Sequence, residues 1–218
     1  MIFTGLNHLA FITPDIEKTI RFYRDLLEMP LVAGISHDGY RHYFFQVGDG
    51  AVAFFTYDGA KAMAYDKFHG AMTEEPIGYD HVSFTVPSRQ DLFALKDRLE
   101  AAGIEVRGAV DHGTIWSIYF FDPNNIPLEA SWNCVYVGKV PVIEDDDPLD
   151  IVVEGSDPQP GHWPAVTTPT SPEEMVAHSG NGNPMRDNMV RNGLGRNSRD
   201  LDIALAQMAK RTARDAAE

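Results

Sequence analysis

The sequence predicts an α+β fold in which two βαβββ modules form one cupped mixed sheet, followed by an extended tail that ends in a helix. The chain matches itself at an offset of 73 residues, which aligns His8 with His81 and Pro14 with Pro87. Several short segments alternate apolar and polar residues, as half-buried strands do. One longer segment in each copy instead has helical spacing.

The first predicted module occupies residues 1–57. It opens with "LNHLAFI", which alternates as a strand, and Thr13-Pro14-Asp15 then carries the signals of a helix start. Apolar residues recur at helical spacing in "IEKTIRFYRDLLEM". Two further strands, "RHYFFQV" and "GAVAFFTY", are separated by a Gly-Asp-Gly turn.

The second predicted module, residues 78–137, follows a linker at residues 58–77. Its first strand is "DHVSFTV", after which Ser88 and Asp91 have the spacing of a capping box. The helix "LFALKDRLEAAG" ends at Gly103, a residue suited to a helix C-terminus. Three strands are then predicted at "IEVRGAV", "TIWSIYFFD" and "IPLEASW".

The paired modules therefore cover residues 1–137, and residues 138–218 form a separate acidic tail. Most of this tail is rich in Pro, Gly, Asp and Asn and has no apolar periodicity, so we expect it to be extended. The exception is an amphipathic helix at 198–216, with Ser198 as its N-cap. We expect this helix to dock on the chain itself or on a partner chain, because short isolated helices are marginally stable.

Composition excludes several classes of function. The 218-residue chain carries a net charge of −14, which argues against a nucleic-acid partner. No apolar run approaches the roughly 20 residues of a membrane span, and the N-terminus lacks a secretory pattern. A single cysteine, Cys134, rules out a disulfide within the chain. We therefore expect a cytoplasmic protein without membrane contact.

Two histidines and one carboxylate stand out as candidate metal ligands. His8 and His81 occupy equivalent places in the two first strands, and Glu129 interrupts the apolar run of the last strand. A buried carboxylate is costly unless a cation compensates it. Two His and one carboxylate form the facial set that binds Fe(II) or Mn(II) and leaves adjacent positions open.

The repeat predicts that this site is asymmetric. Aligning "AVAFFTY" with "IPLEASW" sets Glu129 opposite Phe54, so the first module supplies no second carboxylate. The three ligands and a divalent ion would together carry a net charge of +1, which suits an anionic bidentate ligand such as a catecholate. Phe54 and other aromatic residues would provide an apolar wall for a ring.

With these residues, the chain over residues 1–137 resembles the vicinal oxygen chelate superfamily. That superfamily includes glyoxalase I, fosfomycin-resistance transferases, methylmalonyl-CoA epimerase, bleomycin-binding proteins and type I extradiol ring-cleavage dioxygenases. Glyoxalase I uses four protein ligands, and bleomycin-binding proteins lack the metal set. Fosfomycin transferases share the His, His, Glu set, but the sequence has no convincing counterpart of their potassium loop.

The resemblance is closest to the extradiol dioxygenases. Their signature resembles "DHGTIWSIYFFDPNNIPLEAS", in which His112 precedes Gly113 and Tyr119 stands ten residues before Glu129. Those enzymes also keep an acid–base His before the second metal His, and His69 precedes His81 by twelve residues.

That resemblance implies Fe(II), a small aromatic diol and dioxygen. It also implies that His69 transfers protons and that His112 and Tyr119 hydrogen-bond the substrate. The two loops that carry these residues are shorter here than in the larger two-domain enzymes.

Other possibilities remain open at this stage. A non-redox isomerase, epimerase or lyase would use Mn(II), Co(II) or Ni(II) at the same ligands, and a binding protein would only sequester a small ligand. We expect a homodimer or a higher homo-oligomer, whose cup is completed either within one chain or between two. His37 and His42 match no motif and are assigned no catalytic role.

Overall fold

The computed structural model describes residues 5–37, 39–64, 67–74, 78–144, 147–180 and 182–215. The predicted start of the first module, parts of the predicted linker and residue 216 of the predicted helix lie outside these ranges. The chain divides into two compact units, Met1–Gly138 and Lys139–Glu218. Within the described ranges, no helix has the length and apolar character needed to cross a membrane.

The first unit contains two βαβββ modules, as predicted. The first module consists of β1 (His8–Ile12), α1 (Ile16–Ile20, continued by a π-helical segment Arg21–Leu26), β2 (Leu31–His37), β3 (Tyr40–Val47) and β4 (Gly50–Tyr57). The second consists of β5 (Val82–Thr85), α2 (Arg89–Ala101), β6 (Arg107–Asp111), β7 (Ile115–Phe121) and β8 (Pro127–Asn133). The sequence pattern did not mark β2 by residue, because this strand lies at a sheet edge and its side chains are largely exposed.

Each module folds into its own four-stranded mixed sheet, with strand orders β1-β4-β3-β2 and β5-β8-β7-β6. In each sheet the first strand of the module pairs in parallel with the last, and the remaining pairs are antiparallel. The α+β fold of two βαβββ modules is as predicted, and within the described strands of one chain its mixed sheet is divided into two four-stranded sheets.

Local chemistry explains the helix ends. Ser88 caps α2 by accepting a hydrogen bond from the Asp91 N–H at 3.1 Å, and Asp15 caps α1 by accepting from the Lys18 N–H at 3.0 Å. Gly103 adopts a φ of +76° just past α2, a conformation that costs glycine little.

The two modules pack against each other through their helical sides. Aromatic and aliphatic residues from both sheets and both helices join in one buried cluster, which includes Tyr23, Phe45, Phe54, Leu92, Ile118, Phe120 and Leu128. Polar bonds reinforce this junction: the Tyr23 hydroxyl donates to Asp122 at 3.1 Å, and the Thr13 hydroxyl donates to Asn124 at 2.7 Å. The inner faces of both sheets line this common core, so the opposite faces, here called the outer faces, point away from it.

The second unit contains α3 (Asp150–Val153), a 3₁₀ turn at Pro172–Glu174, α4 (Asn183–Arg191) and α5 (Arg199–Asp215). The last helix agrees with the sequence prediction, including the cap, because the Leu201 N–H donates to the Ser198 hydroxyl at 3.1 Å. Helix α4 was not predicted. It has nine residues, most of them polar, so few apolar positions mark it in the sequence, although Pro184 suits a helix start.

Candidate metal and substrate site

His8 lies on the outer face of the first sheet. Strand register places His8 beside Ala51 and Ala10 beside Ala53, and both His8 and Ala10 are exposed. The His8 ring meets the edge of Phe44, with 5.6 Å between ring centres, and its Nδ1 lies 2.7 Å from the Asn7 side chain. His8 is therefore available to a ligand above this face.

The register corrects the predicted role of Phe54. Ser83 pairs with Glu129 in the second sheet as Ala10 pairs with Ala53 in the first, so Ala53 is the counterpart of Glu129. Phe54 is fully buried in the common core, with its ring centre 4.7 Å from that of Tyr23, and forms no wall of the site. A slip of one residue in aligning strands exchanges the two faces of a sheet. The first module still lacks a carboxylate, because alanine supplies none.

His81 and Glu129 meet on the outer face of the second sheet. His81 Nε2 lies 2.9 Å from Glu129 Oε2, and His81 Nδ1 lies 2.5 Å from Asp80 Oδ1. An imidazole with a carboxylate oxygen at each nitrogen needs a positive charge, which either a second proton or a metal ion supplies. The donor set thus fits a divalent metal bound by His81 Nε2 and Glu129, with Asp80 orienting the imidazole.

Glu129 is buried, but it remains suited to the ionised form. Burial raises the pKa of its carboxyl group, whereas the hydroxyls of Ser117, Ser83 and Tyr119 together lower that pKa below its ordinary value. An ionised carboxylate is the form that binds a metal ion.

Asp80 also ties a loop to the site. Besides contacting His81, its carboxylate pairs with the buried Lys67 and accepts a hydrogen bond from the Gly70 N–H at 2.9 Å. Burial would raise the pKa of Asp80, but these hydrogen bonds outweigh it and hold the pKa well below the ordinary value. Sequence reasoning missed Asp80, although an acidic residue directly before a candidate ligand was a usable signal.

Tyr119 links His112 to Glu129. Its hydroxyl donates to Glu129 Oε1 at 3.2 Å and lies 2.7 Å from His112 Nε2, so that His112 is the donor in the second contact. Burial raises the pKa of Tyr119 to about 12, which keeps the phenol protonated near neutral pH.

His69 lies flat against Tyr119. The two rings stack with 3.4 Å between their centres and 6° between their planes, and the His69 ring centre is 5.8 Å from that of His81. His69 Nδ1 is buried and has no hydrogen-bond partner in the described part of the chain. Burial lowers the pKa of His69, which favours the neutral imidazole that can accept a proton.

The residues His69, His81, His112, Tyr119 and Glu129 are thus brought together, and His8 is not among them. Within the described residues, no group of three or more His, Cys, Asp or Glu side chains is arranged to hold a metal ion. The physical reason is the common core, which separates the outer face that carries His8 from the outer face that carries Glu129. One chain therefore presents two incomplete parts of the predicted ligand set.

His42 has an unexpected position. It is buried on the same outer face as His8, where its ring stacks on Phe55 at 3.5 Å and lies 4.2 Å from Phe44. Its Nε2 has no hydrogen-bond partner among the described residues, and burial lowers the pKa of the imidazole. No sequence motif marks this residue, because its burial depends on the pairing of β3 with β4.

Comparison with known proteins agrees with this fold. The profile of the Glyoxalase/Bleomycin resistance protein/Dioxygenase superfamily matches residues 5–130. The chain belongs to this superfamily. Glutathione transferase FosA from Serratia marcescens is 30% identical over 133 residues, which span 57% of this chain and 78% of FosA.

Solved structures of superfamily members are also similar. A glyoxylase/bleomycin resistance protein/dioxygenase domain from Frankia sp. EAN1pec is 25% identical, with a TM-score of 0.51, over 60% of this chain and 98% of that domain. The fosfomycin resistance protein FosX from Listeria monocytogenes, solved with Mn(II) and sulfate, is 20% identical, with a TM-score of 0.45, over 62% of this chain and 96% of FosX.

These comparisons support superfamily membership, but not the extradiol branch in particular. The curated relative reported above is named as a glutathione transferase and not as a dioxygenase. The choice of a branch within the superfamily therefore depends on the residues around Glu129.

Proposed function

We propose that the protein is a metal-dependent extradiol-type dioxygenase that cleaves a catecholic ring, in sites completed by two copies of the chain. The observation that carries this proposal is the arrangement around Tyr119, whose hydroxyl contacts both His112 and Glu129 while His69 stacks on its ring. A proton acceptor and phenolic and imidazole donors thus surround the His81–Glu129 pair, as ring cleavage requires.

The metal would be held by His81 and Glu129 of one copy and by His8 of a second copy. His8 is exposed on an outer face, and the His81–Glu129 pair lies on the other outer face, so a second copy can bring the two together. When bound, Fe(II) or another divalent ion supplies the charge that binds the two catechol oxygens and the redox chemistry for dioxygen.

The protein residues would handle protons and position the ring. His69 Nδ1, which is buried and has no hydrogen-bond partner among the described residues, accepts the proton that a ring hydroxyl loses and returns it later in the reaction. Tyr119 and His112 hydrogen-bond the substrate oxygen on which charge develops. On the outer face of the first sheet, Phe44 and Phe55 offer aromatic surface to a planar ring. These two residues take the role of apolar wall that the sequence predicts for Phe54.

A second candidate is a non-redox reaction on a small phosphonate, favoured by the 30% identity to glutathione transferase FosA. Such an enzyme would use Mn(II) or another non-redox divalent ion at the same ligands. The aromatic surface and the stacked His69 favour a ring over a compact phosphonate. An isomerase, epimerase or lyase of the superfamily would also leave dioxygen unused.

The test is anaerobic loading with Fe(II), followed by oxygen uptake and absorbance of yellow ring-fission products with a panel of catechols. We expect one dioxygen consumed per ring cleaved, and we expect Tyr119→Phe to slow turnover while it retains the metal. The matched control is Tyr136→Phe, which alters a fully exposed tyrosine beyond β8. A metal-loaded protein that conjugates or hydrates fosfomycin and consumes no dioxygen with any catechol would replace this proposal with the second candidate.

A further inference from the structure

Arg107 lies in the same row of the second sheet as the candidate metal ligand. Ser83 pairs with Glu129, Glu129 pairs with Tyr119, and Tyr119 pairs with Arg107 across the four strands. Residues that lie directly opposite one another in a sheet share a face. Arg107 therefore belongs to the outer face of the site, two strand spacings from Glu129, or about 10 Å between backbones.

An aromatic ring holds the guanidinium in place. The Arg107 Cζ lies 4.1 Å from the centre of the Phe68 ring, a cation–π contact. Phe68 in turn lies 6.1 Å from Tyr119 and 6.2 Å from Phe121, measured between ring centres. A small cavity opens among these side chains, lined by Phe68, Glu105, Arg107, Tyr119, Phe120 and Phe121. The cation therefore borders a cavity that reaches Tyr119.

The guanidinium keeps hydrogen-bonding capacity. Its Nε donates to Glu105 at 3.2 Å, and both side chains are more than half exposed, so this ion pair is weak. In the described part of the chain, no hydrogen bond uses the two terminal nitrogens of Arg107. Those two nitrogens form the planar fork that binds a carboxylate with two parallel hydrogen bonds. Lys67, the other cation near the site, is buried and already paired with Asp80.

We propose that Arg107 and Phe68 form a subsite for an anionic substituent of the substrate, which makes the substrate an aromatic diol that carries a carboxylate on a short side chain. This inference rests on the proposed function, since the diol end is bound at the metal ligands. Two strand spacings separate Glu129, at the diol end, from Arg107, at the anion end. This span suits one aromatic ring with a short acid side chain. The ring of Phe68 holds the planar guanidinium in one orientation, so less side-chain freedom is lost when the anion binds.

The experiment compares neutral and acidic diols with the full-length, Fe(II)-loaded protein. Catechol and 4-methylcatechol are the neutral probes, and 3,4-dihydroxyphenylacetate and 3-(2,3-dihydroxyphenyl)propanoate are the acidic ones. We expect Arg107→Gln to raise the KM of the preferred acidic diol by about 10- to 100-fold, because a charge-assisted hydrogen bond is lost. The kcat for the acidic diol should stay unchanged, and so should the kcat and the KM for the neutral diols. The matched control is Arg89→Gln, an exposed arginine at the start of α2, which should change neither class.

Two results would overturn the subsite. A wild-type protein that cleaves acidic and neutral diols with equal kcat/KM has no anion subsite. An Arg107→Gln variant that loses activity equally with both classes assigns Arg107 to the structure of the sheet.

Failure of the proposed function gives a different result, because no diol is then cleaved at all. In that case, calorimetric titration of the metal-loaded protein with the acidic diols and with a small alkylphosphonate measures whether Arg107 binds an anion. The subsite is supported if a probe binds to the wild type and Arg107→Gln abolishes that binding. If only the alkylphosphonate binds in this way, the anion of the natural ligand is a phosphonate. Binding that is absent, or that does not depend on Arg107, overturns the subsite.

Discussion

His81 is held between two carboxylates, and this environment determines which nitrogen can bind a metal. Asp80 lies 2.5 Å from Nδ1, so the proton of a neutral imidazole stays on Nδ1 and the lone pair of Nε2 faces Glu129. Partners of this kind commonly raise the metal affinity of a histidine.

Replacing Asp80 with Asn should therefore weaken metal binding about 10- to 100-fold, because an amide orients the imidazole less strongly than a carboxylate does. A competition titration with a chelating dye measures the dissociation constant directly and requires no substrate. Asp97→Asn, an exposed change on α2, is the control and should leave this constant unchanged. Equal metal affinities for Asp80→Asn and the wild type would show that Asp80 only anchors the loop at residues 67–74.

His42 is a second histidine whose surroundings determine its contribution to stability. Its buried Nε2 lacks a hydrogen-bond partner among the described residues, which costs about 1–3 kcal/mol. His42→Phe keeps an aromatic ring stacked on Phe55 and removes this unpaired polar atom. We expect the free energy of unfolding of the metal-free protein to rise by about 1 kcal/mol, measured by urea denaturation.

His8→Phe provides the comparison for this prediction, because His8 lies on the same face but is exposed. It should change the stability of the metal-free protein little. A decrease in stability of His42→Phe would mean that the imidazole makes a favourable contact with solvent or with a second copy.

At the scale of elements, a polar junction joins α1 to the turn between β7 and β8. Asp122 accepts hydrogen bonds from the Tyr23 hydroxyl at 3.1 Å, the Ile126 N–H at 2.9 Å and the Asn124 N–H at 2.7 Å. Burial raises the pKa of Asp122, and each hydrogen-bond donor stabilises the ionised form of this carboxylate. The junction fixes the helical sides of both modules against each other.

Tyr23→Phe should lower the free energy of unfolding by about 1–3 kcal/mol, since the buried carboxylate loses a donor while the ring packing is retained. Urea denaturation followed by circular dichroism measures this change. Tyr136→Phe removes the hydroxyl of a fully exposed tyrosine and should have no effect. If both variants unfold at the same urea concentration, the Tyr23–Asp122 bond does not stabilise the junction.

At the scale of the whole molecule, the two outer faces of one chain cannot combine their ligands. His8 and the His81–Glu129 pair lie on opposite sides of the common core, so the proposed metal site would take its ligands from two copies. This arrangement can be tested by mixing variants, because each copy would contribute to two different sites.

His8→Ala and Glu129→Gln should each lose the bound metal when they are alone. Unfolded and refolded together in equal amounts, they should recover about a quarter of the wild-type metal content, because half of the random dimers then contain one intact site. Elemental analysis after removal of free metal gives the result without any assay of activity. The control is a mixture of His81→Ala with Glu129→Gln, which alter the same half of the site and should recover nothing. Recovery in neither mixture would place the whole ligand set within one chain.

Much of the fold can be predicted from the sequence, because its signals are local. The repeat aligned His8 with His81, and Ser88, Gly103 and Ser198 marked helix ends that the structure confirms. Helix α4 and the edge strand β2 gave weaker signals, because α4 has few apolar residues and the residues of β2 are largely exposed. The grouping of Tyr119 with Glu129 was also accessible, since it depends only on antiparallel neighbours.

The sequence by itself thus determined the two modules, the candidate ligands and the absence of a second carboxylate. Only the tertiary structure decided that Ala53 is the counterpart of Glu129, that Asp80 contacts His81, that Arg107 pairs with Tyr119, and that His8 lies apart from His81. The physical reason is that periodicity records which side of a strand is apolar, whereas register and the packing of sheets depend on contacts between residues far apart in the chain.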